Sequence, residues 1–193
     1  MKIGRRVRSL IALLSLAQPA ICLADSPIGI YLGVDGGLSH APDACNGAFS
    51  GFTCKDTDRA VRATVGYQFI PWIGVEANYT DFGRFDMSAN SGATFSITGF
   101  QLAAGGTAPL TKTLAIVGRV GVARTEVKQS FNTIGPTITV TTYTGSTGVS
   151  LKYSLTQAFA LRVSVDYYGN VGETNRGFKT NLLAYTGGLT VSF

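Results

Sequence analysis

From Ile28 onward the chain alternates. Residues 59–70 set Val61, Ala63, Val65, Tyr67 and Phe69 on one parity and Arg62, Thr64, Gly66 and Gln68 on the other. Residues 158–170 repeat this, with Phe159, Leu161, Val163, Val165 and Tyr167 opposite Ala160, Arg162, Ser164, Asp166 and Tyr168. Residues 181–193 do so again, Leu183, Tyr185, Leu189, Val191 and Phe193 sharing one face. Successive side chains of a strand point to opposite faces, so a period of two puts one face in an apolar medium and the other in a polar one. No long helical periodicity follows Asp25.

The pattern predicts eight strands, at about 28–38, 59–70, 73–82, 93–109, 113–128, 141–155, 158–170 and 181–193. Short turns at Pro71-Trp72, Leu110 to Lys112 and Thr156-Gln157 alternate with long polar segments at 39–58, 83–92, 129–140 and 171–180. An even strand count with short turns at one end and long loops at the other predicts an all-β, eight-stranded, antiparallel up-and-down transmembrane barrel. The fourth strand fits least well, because its outward parity holds Thr98, Ala104, Gly106 and Ala108. A bulge that resets its parity is the expectation there.

The polar face separates a barrel from a soluble sandwich. A sandwich would cover that face with Lys and Glu, whereas here it is mainly Gly, Ala, Ser and Thr, which suit the interior of a small closed barrel. Phe69, Trp72, Tyr153, Phe159 and Phe193 fall near the short-turn end, and Tyr79, Phe82, Tyr143 and Tyr167 near the loop end. They are expected to form two interfacial girdles.

Composition agrees. Charged residues are 14% of the chain, against about 25% in soluble domains, and the mean hydropathy is slightly positive. Yet no segment beyond the N-terminus offers the ~20 apolar residues of a spanning helix. Residues 1–24 read as a cleaved signal peptide: Lys2, Arg5, Arg6 and Arg8 precede an apolar stretch, and Ala24 stands before the cut. The barrel domain is then 25–193. Of 16 Lys+Arg, four leave with the leader, and the remaining 12 against 11 Asp+Glu give +1 rather than +5. The basic character belongs to the export signal, so no nucleic-acid partner is expected. Two of the three cysteines remain, and Cys45 with Cys54 in an exported chain suggest one disulfide closing a small loop.

The segments VGYQFIPWIGVEANYTDFGRF, GFQLAAGGTAPLTKTLAIVGRVGVARTE and GVSLKYSLTQAFALRVSVDYYGNVGE, followed by GGLTVSF, occur in the order and rhythm of the hairpins of the outer-membrane protein A (OmpA) transmembrane domain, which the chain resembles almost end to end. The resemblance implies outer-membrane lipid and lipopolysaccharide as surroundings. It also implies insertion by the outer-membrane assembly machinery, with Leu189, Val191 and Phe193 as the C-terminal signal. It does not extend to the periplasmic peptidoglycan-binding domain of larger members.

Seven ionisable residues fall on the inward parity: Asp35, Arg62, Glu76, Arg119, Lys152, Arg162 and Asp166. Charges cost least there and need partners once inside, so a lumen polar network is expected. Glu76, Arg119 and Arg162 match acid and arginine positions of OmpA-like barrels, whereas Lys152 stands where the family has an acid and QLAAGG lacks an expected lysine. A structural barrel presenting loops to an extracellular ligand is therefore the leading reading, with a small gated pore as the alternative. A remote alternative, outer-leaflet lipid A chemistry, would need Ser39, His40 and Asp43 to converge, since His40 is the only histidine. No cofactor or metal is expected.

Overall fold

The computed structural model describes residues 28–45, 53–88, 93–131, 137–173 and 178–193; the expected leader, residues 1–24, lies outside them. Nine strands form among the described residues: β1 (Gly29–His40), β2 (Thr53–Lys55), β3 (Thr57–Ile70), β4 (Ile73–Ser88), β5 (Ala93–Pro109), β6 (Leu114–Phe131), β7 (Ile138–Ser154), β8 (Phe159–Glu173) and β9 (Phe178–Ser192). β2 aside, sequential neighbours pair antiparallel, β1 with β3 and on through β8 with β9, and β1 pairs with β9. Eight strands thus close on themselves and leave no free edge, the condition for β-structure in lipid. The ninth, β2, is an addition within the first long loop and pairs only with the far end of β4, Lys55 opposite Asp86.

Several strands run further toward the loops than the alternation indicated. β4 continues to Ser88 and β6 to Phe131, while β7 and β9 begin at Ile138 and Phe178. Above the lipid both faces of the wall meet water or protein, so the ladder continues without an apolar parity to mark it. At the other end the turns are tight. Thr111 Oγ1 accepts from the backbone N–H of Thr113 and Leu114 at 3.2 and 3.0 Å, and Thr156 Oγ1 repeats this with Ala158 and Phe159. A threonine in each of these two turns satisfies donors that the ladder cannot.

The outer face is bare hydrocarbon: Val34, Val120 and Val163 are each more than 60% exposed, a surface that only lipid would cover. Phe69, Trp72, Tyr153, Phe159 and Phe193 are exposed at the turn end, and Tyr79, Tyr143 and Tyr167 at the loop end, joined there by Tyr185. Phe82 does not belong to this girdle. It is fully buried inside the barrel, edge-to-face on Tyr168 at 5.0 Å. The parity that turns Glu76 inward also turns Phe82 inward.

β5 needs no bulge. It pairs with β6 in unbroken register from Ala93↔Phe131 to Pro109↔Ala115, and Ala104, Gly106 and Ala108 face outward as they stand. The irregularity lies in β4, between Asp81 and Arg84, where Gly83 has φ +80°. That backbone is open to glycine and strained for other residues. The extra residue lets both Phe82 and Phe85 face inward. With Phe95, Ile97, Val127, Tyr168, Val171 and Leu182 they form an apolar cluster at the loop end. The lumen there is wide enough for bulk, contrary to the small-residue interior expected from composition.

Candidate functional site

Inside the barrel, below the apolar cluster, all seven predicted residues face inward, and six of them form one ring. Arg62 donates from Nε to Asp35 Oδ2 at 2.9 Å, from Nη1 to Asp166, and from Nη2 to Thr186 Oγ1 at 2.7 Å. Arg119 holds both oxygens of Asp166 from Nη2, at 2.8 and 3.0 Å, and Glu76 Oε2 from Nη1 at 3.2 Å. Arg162 closes the circuit, with Nη2 on Asp35 at 2.6 Å and Nη1 on Glu76 Oε1 at 3.3 Å. Each arginine bridges two acids and each acid two arginines. The order around the ring is Arg62, Asp35, Arg162, Glu76, Arg119, Asp166, and back to Arg62.

The fold makes space for this with glycine. Gly188 stands in register with both Asp35 and Arg162, and Gly148 with both Arg119 and Asp166. Gly66 likewise separates Glu76 from Tyr31, whose hydroxyl donates to Glu76 Oε1 at 2.8 Å. A Cβ at any of the three would collide with Asp35, Asp166 or Tyr31 respectively. Inward glycine beside inward charge is the signal that, read in the sequence, would have located the ring and Tyr31 with it.

Three positive and three negative groups cancel. All six side chains are at most 5% exposed, so each charge depends on its partners rather than on water. Arg119 Nε is the one ring nitrogen that is buried without a partner. Lys152 is not a member. It stands in register with Arg162 but makes no ion pair among the described residues. The seven lumen residues, four positive and three negative, are thus a neutral ring plus one separate lysine.

Above the ring lies a polar layer. Thr64 Oγ1 donates to Asn78 Oδ1 at 2.6 Å, Asn78 to Gln101 Oε1 at 3.1 Å, and Gln101 to Ser146 Oγ at 2.8 Å. A path along the barrel axis therefore meets the ionic ring, an amide–hydroxyl layer and the apolar cluster in turn. None of the three presents an uncommitted acid or base to a substrate.

Nor do the three residues that lipid A chemistry would use converge. Ser39 is buried, and its hydroxyl donates to the carbonyls of Phe82 and Asp58. His40 Nδ1 meets Thr57 Oγ1 at 3.1 Å instead, and Asp43 accepts from Asn181 at 3.0 Å. As neighbours in a strand, Ser39 and His40 point to opposite faces. At the C-terminus Leu189 and Phe193 are exposed and Val191 is partly covered, all on the outward parity, and Phe193 N–H donates to Ile30 O at 2.9 Å.

This architecture has relatives. OprG of Pseudomonas aeruginosa superposes with a TM-score of 0.64 at 17% identity, covering 89% of this chain and 99% of that one. Neisserial surface protein A gives 0.62 at 15%, with coverages of 86% and 97%. Outer membrane protein A of Serratia marcescens is 32% identical over 134 residues, 66% of this chain and 37% of that protein. The chain thus spans little more than a third of that relative's length. Residues 28–193 match the OmpA-like transmembrane domain throughout, and the protein belongs to that family of bacterial outer-membrane β-barrels.

Proposed function

We propose that this protein is a structural outer-membrane barrel with a sealed lumen, whose work is done by the loops it holds at the cell surface. The observation that carries this is the closure of the ionic ring. A gated pore would have to part arginines that each hold two acids, and then move the Phe82–Tyr168 pair above them. The separation of Ser39 from His40 supports a non-enzymatic role.

Residues 1–24 act as the cleaved export signal, and Leu189, Val191 and Phe193 present the strand that the assembly machinery engages. The surrounding partners are outer-leaflet lipid and lipopolysaccharide. Cys45 carries a disulfide, which supports its pairing with Cys54 and the bracing of the first loop for an extracellular ligand. The test is a loop exchange: replace residues 41–56 by a short turn and compare adherence of expressing cells to immobilised matrix proteins and to other cells. The proposal expects adherence to fall while the unboiled protein still migrates as a compact band. Equal adherence with and without the loop would overturn it.

A further inference from the structure

The turn end of the lumen holds a charge that the ring leaves unneutralised. Beneath the ring a cavity of about 30 Å³ is bounded by Tyr31, Gln68, Glu76, Lys152, Arg162 and Thr190. Space of that size holds about two waters, or one small ion with little to spare. Thr107 also lines it with a half-buried neutral hydroxyl, and every other polar group around it except Lys152 and Thr190 has its main bonds elsewhere. Glu76 is taken by Arg119, Arg162 and Tyr31, the Gln68 amide donates to Ile70 O, and Tyr31 donates to Glu76. Arg162 spends its Nε, one Nη1 hydrogen and Nη2 on Asp35, Glu76 and Thr64. Of five guanidinium hydrogens, one on Nη1 is left over.

Two groups remain. Lys152 is half-buried and has no ion pair among the described residues. Thr190 is 3% exposed, and its Oγ1 is buried with no hydrogen-bond partner. Both can donate. A cation in a low-dielectric lumen needs a counter-charge, and a buried hydroxyl without a partner costs about 1–3 kcal/mol. One occupant satisfies both: an acceptor carrying a single negative charge and small enough for the cavity.

We propose that this vestibule is a binding site for a small monovalent anion of the chloride class, held by the Lys152 ammonium and the Thr190 hydroxyl below a neutral ring. The anion completes the charge balance of the lumen. The site does not depend on what the loops contact.

The experiment is ³⁵Cl NMR of the refolded full barrel in a zwitterionic detergent with chloride as the probe. Exchange at a protein site broadens the bulk chloride line. The wild type is expected to show excess broadening that saturates with chloride and is displaced by bromide. Lys152→Met should lose it, Thr190→Val should weaken it, and Lys112→Met, in an exposed turn, should leave it unchanged. An unboiled gel band checks that each variant folds. Two results would overturn the proposal: no excess broadening in the folded wild type, as from a lysine hydrated by water alone, or equal broadening in wild type and Lys152→Met. Should Lys152→Met fail to fold, loss of broadening in Thr190→Val supports the site and its full retention refutes it.

Discussion

Opening the ring at one point measures whether its six charges act as a unit. Arg62→Met removes a side chain that is 1% exposed and bridges Asp35 and Asp166. Losing one member of a buried pair costs about 3–5 kcal/mol. Here the cost falls at the lower end, because Asp35 keeps Arg162 and Asp166 keeps Arg119. Asp166→Leu is the mirror case, since Arg62 keeps Asp35 and Arg119 keeps Glu76. Each single variant should therefore lose about 3 kcal/mol, chiefly through one uncompensated lumen charge.

The double variant restores neutrality, leaving two arginines alternating with two acids. It should lose about 3–4 kcal/mol rather than the additive ~6, a coupling of about 2–3 kcal/mol. The assay is a urea titration in lipid vesicles, followed by the unboiled gel band and by emission of Trp72. This is the only tryptophan, and it stands 51% exposed in the turn-end aromatic band, so it leaves lipid on unfolding. With a slope of about 1–3 kcal/mol per molar urea, each single variant should move the midpoint by about 1–3 M. Additivity within about 0.5 kcal/mol would refute the ring as a coupled unit.

Three further outcomes are expected. Gly188→Ala should destabilise the barrel by about 1–3 kcal/mol, because its Cβ would overlap the backbone oxygen of Val34 and crowd Asp35, whereas Gly118→Ala, with nothing within 4 Å, should unfold like the wild type. Val163 lies midway between the Phe159 and Tyr167 girdle positions on the lipid face, so Val163→Arg should cost about 2–4 kcal/mol in the same titration, and an unchanged midpoint would put that face out of lipid. At the loop end, above the Tyr79 and Tyr185 band, burial pushes the Asp58 carboxyl up, but the Lys55 ammonium and the backbone N–H groups of Arg84 and Arg59 outweigh it and hold it below its usual 3.8. A depressed carboxyl stabilises the fold above its unfolded pKa and loses this as pH falls through the folded one. The Arg84 amide resonance, 2.6 Å from Asp58, should therefore titrate with a midpoint below 3.8, and a midpoint above it would contradict the bond.

The lipid-facing wall was legible because water and lipid sort side chains by parity. Val61 to Phe69 and Phe159 to Tyr167 could be assigned to the outside residue by residue. The same parity placed all seven lumen charges inside. What it could not supply was partner choice, which depends on reach across the barrel rather than on height. Arg62 bonds Asp166 from the opposite part of the chain, and Lys152, beside Arg162 in register, makes no ion pair among the described residues. Phe82 faces the lumen because its parity, not its aromatic type, decides its side of the wall. The β4 bulge at Gly83 and the short β2 pairing both arise where the wall leaves lipid and the alternating signal ends.

The most direct test of a sealed lumen is single-channel recording in planar bilayers, with the folded state checked on the same sample. The ring, the Asn78–Gln101 layer and the Phe82 cluster together predict no discrete current steps above the protein-free background at either polarity. Reproducible steps from folded wild-type protein would show the axis open and contradict the account.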